Sequence, residues 1–274
     1  MKKKILFYVM CVLMIAMLLT GCQEQKKTSE YADDNFIADL SNGLVERWKI
    51  VDKDENDPNY DKNMEDASKI KEMRQTYIKA EQDYINKYQD KKFKDSKLHE
   101  LALSYINVLN DSKDALKYIE VEYDMYADKW DEAYNTRANL ITQLTKEYNL
   151  TVPEKYQDEL DNFVTTDKIV QENKTKEDAI SKLLRTIQFQ ETEAPSETNG
   201  FYGTYVANIQ NNTGIDFATF QIDINLLDEN DTILETQYYS GSNLKNGQTA
   251  QVSFSTDKQF KSTDITCSYW EEAQ

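Results

Sequence analysis

Apolar residues recur at steps of three and four through the first two thirds of the chain, the spacing of one helix face. The pattern predicts helices over about 34–51, 62–92, 96–148, 153–165 and 174–190. The third helix carries the most regular stripe, interrupted by Ser112 and Arg137, and formed by Tyr105, Leu109, Leu116, Ile119, Tyr123, Tyr126, Trp130, Ala133, Leu140 and Leu144. Because Asn110–Ser112 offers an N-cap, we expect a break or kink there.

Such stripes are typical of helices that pack nearly parallel or antiparallel, so the sequence favours a helical bundle of coiled-coil type. The first helix presents Phe36, Ile37, Leu40, Leu44 and Trp48 on one face, and the second presents Ile70, Met73, Tyr77, Tyr84 and Tyr88. A tyrosine row at helical spacing suits either a binding surface for a sugar, cofactor or peptide, or a bundle core. We interpret these tyrosines as core residues whose hydroxyls reach water or a polar partner.

The hydrophobic period changes to two after residue 200. Phe220, Ile222, Ile224 and Leu226 alternate with polar residues, the pattern of a strand with one buried face. Further strands are predicted at about 202–209, 232–239, 250–254 and 265–269. Five short strands separated by turn residues are typical of a small β-sandwich.

Glycine placement supports the same division. No glycine occurs between Gly43 and Gly200, and most of the chain's seven glycines follow Gly200. The sequence therefore predicts an α+β protein with separate domains, a helical bundle and then a small Ig-like β-sandwich. We expect the bundle at 36–190, a linker at 191–199 and the sandwich at 200–274.

The N-terminus has the composition of an export signal. Lys2–Lys4 precede an apolar run, Ile5–Leu19, which is shorter than the roughly 20 residues of a membrane-spanning helix. The run ends in Leu19, Thr20, Gly21 and Cys22, which resembles the lipobox of bacterial lipoproteins. The resemblance implies that 1–21 is a signal peptide, that Cys22 is lipidated, and that 22–35 is a tether. A single transmembrane anchor is the alternative.

Charge limits the partners of the protein. The formal net charge is -17, and cleavage would remove three lysines and make the mature chain more acidic. Such a surface repels nucleic acid and anionic headgroups, so we expect no nucleic-acid partner. Membrane affinity would come from the lipid on Cys22, and we expect the protein on the extracytoplasmic face of the cell membrane of a Gram-positive bacterium. The oligomeric state is left open.

The sequence offers little catalytic chemistry. With Cys11 in the signal and Cys22 lipidated, Cys267 stands alone, and its alternating strand favours a small buried residue over a reactive thiol. His99 is the only histidine, so a histidine-based triad or zinc site would have to be built on it. We therefore assign no catalytic residue, no metal ligand and no cofactor.

One acidic segment invites a calcium interpretation. Asp52, Asp54 and Asn56 begin a predicted polar loop, 52–61, with the spacing of an EF-hand loop. Asp57 stands where that loop needs glycine, and Asn63 stands where it needs glutamate. A solvated acidic loop is the preferred interpretation.

A second resemblance concerns the tail. Val206–Gly214, Asn243–Gln248 and Ile224–Asp228 look like parts of the FxLYD-type domain, with isoleucine and leucine replacing the phenylalanine and tyrosine of the naming motif. That family is Ig-like and common in exported bacterial lipoproteins. The resemblance implies an accessory module without catalytic residues, and it covers none of the helical part.

Three functions compete on these observations. The first, which we expect, is a non-enzymatic surface lipoprotein that binds an envelope protein or acts as a spacer. The second is a carboxylate-dependent enzyme or binder of envelope glycans, because glycoside hydrolysis requires two carboxyl groups and no histidine. The third is a ligand sensor or solute-binding protein, but the two α/β lobes of such proteins are not visible in the pattern.

Overall fold

The computed structural model describes residues 31–273, and there the helices come first and the strands follow, as predicted. The segment predicted to be a signal peptide (1–21), the motif Leu19–Cys22 and most of the segment predicted to be a tether (22–35) lie outside the described residues. The α-helices are α1 (Asp33–Glu55), α2 (Tyr60–Asn63), α3 (Ala67–Ile85), α4 (Ser96–Ala115), α5 (Tyr123–Tyr148) and α6 (Gln157–Leu184).

The chain divides into two compact units, and the division falls inside α6, between Val164 and Thr165. We call the first the helical unit and the second the strand unit. The linker expected at 191–199 is instead structured within the strand unit. Residues 190–193 form a strand, and 197–199 form a 3-10 turn capped by Ser196.

The helical unit has one core, formed by the faces that the periodicity predicts. Phe36, Leu40, Leu44 and Trp48 of α1 are buried, with Ile37 partly covered. Aspartates hold the starts of two helices: Asp66 accepts hydrogen bonds from the first amides of α3, and Asp95 does the same for α4. The stripe of α4 and α5 is buried as expected, except that Tyr123 is exposed and Trp130 is half-buried.

Several helix boundaries differ from the prediction, and the helix expected at 62–92 is α-helical mainly over Ala67–Ile85. α1 continues through Asp52 and Asp54 to Glu55, so the first part of the expected acidic loop, 52–55, is helical. The break between α4 and α5 comes at 116–122 and not at Asn110–Ser112. No new helix begins at Ser112, because its hydroxyl donates a hydrogen bond back to the Val108 carbonyl at 2.8 Å instead of capping a helix.

α6 is one helix where two were predicted. No glycine or proline occurs in Gln157–Leu184, and the polar stretch between the two predicted helices contains nothing that ends a helix. Its first turns follow a 3-10 turn, Glu154–Tyr156, that begins after Pro153. None of the helices in residues 31–273 combines the length and apolarity needed to cross a membrane.

The strand unit contains two antiparallel three-stranded sheets, in the orders β1-β2-β5 and β4-β3-β6. Their strands are β1 (Gln190–Glu193), β2 (Gly203–Gln210), β3 (Phe217–Leu227), β4 (Ile233–Leu244), β5 (Thr249–Thr256) and β6 (Ser262–Glu272). The predicted alternation of β3 is confirmed, with Phe220, Ile222, Ile224 and Leu226 buried.

Buried side chains of both sheets belong to one hydrophobic cluster, and the later turns of α6 complete it. The last turns of α6 contribute Ile180, Leu183 and Leu184, and Ile187 follows just after the helix. These residues were predicted to belong to the helical bundle. Their apolar face is instead buried among strands, which explains why the strand unit begins inside α6.

Candidate functional site

A fully buried carboxylate lies at the centre of the helical unit. Glu81 Oε1 accepts hydrogen bonds from Arg47 Nη1 at 2.8 Å and from Arg137 Nη2 at 2.6 Å. Its other oxygen accepts from the Tyr105 hydroxyl at 2.6 Å, and that hydroxyl accepts from Arg137 Nε at 2.9 Å. Both oxygens of Glu81 are therefore satisfied without water, by residues from α1, α4 and α5.

Gly43 makes room for this network. It is the only glycine in the described helices, and it is buried where α1 approaches α3. A Cβ atom at this position would lie 3.3 Å from the Glu81 Cα and 3.4 Å from the Glu81 carbonyl oxygen. Gly43 thus lets the two backbones meet at the height of Glu81, at the cost of local helix propensity.

The network contains two guanidinium groups for one carboxylate. Burial by itself would raise the pKa of Glu81, but the charges of Arg137 and then Arg47 hold that pKa below its ordinary value. Burial and repulsion from Arg137 lower the pKa of Arg47, although Glu81 opposes both effects. With two charged guanidinium groups and one carboxylate, the network has one positive charge in excess.

Arg47 also lines a pocket between residues of α1 and α3, which we call the arginine pocket. The cavity has a volume of about 200 Å³, and it is lined by Arg47, Val51, Tyr60, Met64, Ile70, Met73, Arg74, Tyr77 and Trp130. Val51 lies one turn after Arg47 on α1. Ile70, Met73, Arg74 and Tyr77 share one face of α3, because their spacing is three, four and seven residues.

Arg74 is the second cation of the pocket. Its guanidinium carbon lies 4.2 Å from the Trp130 ring centroid and 5.4 Å from that of Tyr126. Among the described residues, no carboxylate pairs with Arg74 and no hydrogen-bond acceptor meets its N–H groups. Burial lowers the pKa of Arg74, and repulsion from Arg47 adds to that effect.

The pocket has one polar edge. The Tyr77 hydroxyl donates a hydrogen bond to Asp54 Oδ2 at 2.9 Å, which joins α3 to the end of α1. Burial and then this bond raise the pKa of Tyr77, so the hydroxyl stays protonated at neutral pH. Asp54 is thereby held on the Tyr77 hydroxyl and is not among the residues that line the pocket.

Arginine is rare in this chain and is concentrated at the network and the pocket. Of the chain's 32 lysines and arginines, only four are arginines, and three of the four converge here. Arg47 and Arg137 bind Glu81, and Arg47 and Arg74 line the pocket. Arginine differs from lysine in offering a planar fork of donors that matches a carboxylate and a flat face that stacks on aromatic rings. Arg74 uses the second property, because its guanidinium carbon lies over the Trp130 ring, and its N–H donors meet no acceptor among the described residues.

Protein-family models, curated proteins and solved structures were all compared with this chain, and none matched. The role of the arginine pocket is therefore argued from its own geometry. Two guanidinium groups beside methionine, isoleucine and tryptophan side chains form a site that can hold an anion with an apolar body.

The residues singled out by sequence lie elsewhere. Leu19, Thr20, Gly21 and Cys22 are outside the described residues. His99 stacks on Phe93 with ring centroids 5.0 Å apart, and its buried Nε2 meets no hydrogen-bond partner in the part of the chain that the structure describes. This arrangement makes His99 part of the packing around α4.

Cys267 is half-buried on β6, and its thiol lies 3.5 Å from the Tyr269 carbonyl oxygen, to which it donates. Burial raises the pKa of the Cys267 thiol, which disfavours the reactive thiolate.

The two aspartates that would begin a calcium loop each bind a different side chain of the protein. Asp52 accepts a hydrogen bond from Lys155 Nζ at 2.6 Å, whereas Asp54 accepts from Tyr77. Within residues 31–273, no group of three or more histidine, cysteine, aspartate or glutamate side chains is arranged to hold a metal ion.

The tyrosine rows are mainly core, as interpreted from the sequence. Tyr77, Tyr88, Tyr105 and Tyr126 are buried. Sequence reasoning missed that Tyr77, together with Ile70 and Met73, borders a cavity. The sequence did contain a sign of the neighbouring charge network. Arg137 interrupts the apolar stripe, and a charged residue at such a position requires a buried partner.

Proposed function

We propose that this protein is a lipid-anchored, extracytoplasmic binding protein whose helical unit captures a small anionic ligand without chemical conversion. The arginine pocket carries this proposal. Arg74 is partly desolvated, stacked on Trp130 and without a carboxylate partner in residues 31–273, although the chain has far more acidic than basic residues. An unpaired, partly buried cation in so acidic a protein is best explained by an anion that binds from outside.

The anchor in this proposal is the lipid on Cys22. It rests on the succession of Lys2–Lys4, the apolar run and the motif Leu19–Cys22. A tethered binding unit would hold its ligand at the outer surface of the membrane, where a strongly acidic protein surface provides no affinity for anionic lipids.

We also propose that the strand unit is an Ig-like sandwich of the FxLYD type, which serves as an accessory module. Two observations support this. Both sheets share one core. Two of the three segments of the resemblance, Val206–Gly214 and Asn243–Gln248, are joined through buried Asn211, whose amide nitrogen donates to the Ile215 and Leu244 carbonyls at 2.8 and 3.1 Å. The Gly247 amide donates back to the Asn211 carbonyl at 2.6 Å.

Action on envelope glycans is the alternative. A glycosidase needs two carboxyl groups that face each other across a cleft. A cavity of about 420 Å³ is lined by Asp111, Asp114 and Glu132. However, Lys117 pairs with Asp114 at 2.7 Å, and Lys129 lines the same cavity. The carboxylates there are accompanied by cations, so this cavity supports the alternative less well than the arginine pocket supports anion binding.

One fractionation experiment tests both parts of the proposal. Washed membranes and soluble fractions are prepared from cells that produce the wild-type protein, Cys22→Ser or Arg74→Gln, and binding of radiolabelled benzoate and phosphate is measured. We expect binding of at least one anion in wild-type membranes and its transfer to the soluble fraction in Cys22→Ser, because only the lipid is removed. In Arg74→Gln the protein should stay in the membrane without binding the anion.

The controls separate the two claims. Membranes from cells without the protein give the background, and an immunoblot locates each variant. Cys22→Ser protein that remains in washed membranes would replace the lipid anchor with a retained N-terminal helix. Equal anion binding by wild type and Arg74→Gln would remove the pocket from the function.

A further inference from the structure

We infer that the ligand of the arginine pocket is a small carboxylic acid with an apolar body, bound as the carboxylate. This inference rests on the proposed function and specifies the ligand class. The observation behind it is the juxtaposition of an unused arginine fork with a wall of apolar side chains, in a cavity too small for a large ligand.

The polar end of the ligand is defined by Arg74 and Arg47. The Arg74 fork has N–H donors without acceptors in the described part of the chain, and a carboxylate can accept two parallel hydrogen bonds from such a fork. Arg47 adds charge from the opposite helix, while its own Nη1 remains on Glu81. Because Glu81 divides one negative charge between Arg47 and Arg137, Arg47 is not fully neutralised.

Most of the remaining wall is unsuited to an inorganic anion. Besides the phenols of Tyr60 and Tyr77, of which the Tyr77 hydroxyl is bonded to Asp54, the lining is apolar and consists of Val51, Met64, Ile70, Met73 and the Trp130 ring. Phosphate would leave several of its oxygens against these groups, and an oxygen buried without a hydrogen bond is costly. A carboxylate needs only one polar end, so its carbon body can cover the apolar wall.

The volume limits the part of the ligand that the pocket can enclose. The cavity of about 200 Å³ is smaller than the roughly 300–1,000 Å³ of pockets that hold drug-sized ligands. At about 30 Å³ per water, it corresponds to about seven water molecules. An acid with a short aliphatic chain or a single ring fits this space. Two methionines in the wall suit such a body, because their flexible thioethers adapt to its shape.

The test is isothermal titration calorimetry on the full-length protein in a neutral detergent. The probes are acetate, butanoate, 4-methylpentanoate, 4-methylpentanamide and inorganic phosphate. We expect 4-methylpentanoate to bind most tightly, with affinity rising about fourfold for each buried methylene along the series. The amide has the same body without the charge and should bind at least tenfold more weakly.

Matched variants identify the site. Arg74→Gln should weaken 4-methylpentanoate binding by about 10- to 100-fold, the range for the loss of hydrogen bonds to a charged group. Arg185→Gln removes the same charge from an exposed position in the strand unit and should leave binding unchanged. Arg74→Lys keeps the charge but not the fork, and we expect it to fall between them. Thermal unfolding of each variant shows whether it is folded.

The outcomes distinguish this inference from the proposed function. Arg74-dependent binding of phosphate that is tighter than that of every carboxylate would overturn the inference and leave the anion-binding function standing. Carboxylate binding that does not increase with chain length would also overturn the apolar-body claim. If no probe binds the wild-type protein, the function and the inference fail together.

Discussion

Glu81→Gln should destabilise the helical unit by about 3–5 kcal/mol, the cost expected when one partner of a buried charge network is removed. The substitution keeps the shape of the side chain but leaves Arg47 and Arg137 without an anion between α1, α3 and α5. Both guanidinium groups would remain in the core, where an uncompensated charge is costly. Chemical denaturation followed by circular dichroism at 222 nm, where the helices dominate, measures the effect.

The matched control is Glu72→Gln on the same helix. The Glu72 side chain is 71% exposed and, within residues 31–273, forms an ion pair with Lys69 alone, so its substitution should change stability by no more than about 0.5 kcal/mol. Equal stability of the two variants would contradict the assignment of Glu81 as the anchor of the network.

The same network has a defined dependence on pH. Because the folded-state pKa of Glu81 is lowered, its contribution to stability is present above the unfolded-state pKa and is lost as pH falls through the folded-state pKa. Glutamine does not titrate, so the stability difference between wild type and Glu81→Gln should shrink in acid.

Ile180→Ala should destabilise the strand unit by about 2–5 kcal/mol, as expected for a large-to-small substitution in a core. Ile180 lies on α6, is 3% exposed and packs among the side chains of the two sheets. If the later turns of α6 belong to the strand unit, the cavity left by the missing carbons weakens the strands. Hydrogen exchange of the β3 amides, measured by mass spectrometry, reports this loss directly.

Ile169→Ala provides a control with the same chemistry on the same helix. Ile169 is 52% exposed, so we expect a change within about 0.5 kcal/mol and unaltered exchange in β3. Faster exchange confined to the helical unit in Ile180→Ala would contradict the placement of this part of α6 in the strand core.

Hydrophobic periodicity identified the faces of the elements because burial imposes it directly. Phe36, Leu40 and Leu44 on α1 and the alternation of Phe220 to Leu226 on β3 follow from which side chains leave water. The boundaries depend on local hydrogen bonds that periodicity does not contain. Ser112 illustrates this, since the same hydroxyl can cap a helix or bond back to its own helix.

β1 shows a second limit. All four residues of Gln190–Glu193 are exposed, so the strand has no buried face and no alternation to detect. Its place in the sheet comes from main-chain pairing with β2. The sequence therefore indicated a linker where the structure has an edge strand.

The arginine pocket depends on contacts between residues that are distant in sequence. Arg47 and Arg74 come from two helices, and Trp130 comes from a third. Each of these helices was predicted, but their neighbours and relative heights were not, because an apolar stripe fixes the buried face of a helix and not its position along the bundle. Arg137 in the apolar stripe and the small number of arginines were the two local signs of a buried charge network.

The most direct test of a carboxylate in the arginine pocket is a nuclear magnetic resonance titration of the full-length protein labelled with ¹³C at the methionine methyl groups. Met64 and Met73 line the pocket, whereas Met125 in the same unit does not, and substitution of each assigns its signal. On addition of 4-methylpentanoate, the account predicts saturable shifts of the Met64 and Met73 methyl signals, little change at Met125, and a midpoint about 10- to 100-fold higher in Arg74→Gln. An unchanged midpoint in Arg74→Gln, or Met64 and Met73 signals that stay unaffected while the acid binds, would contradict it.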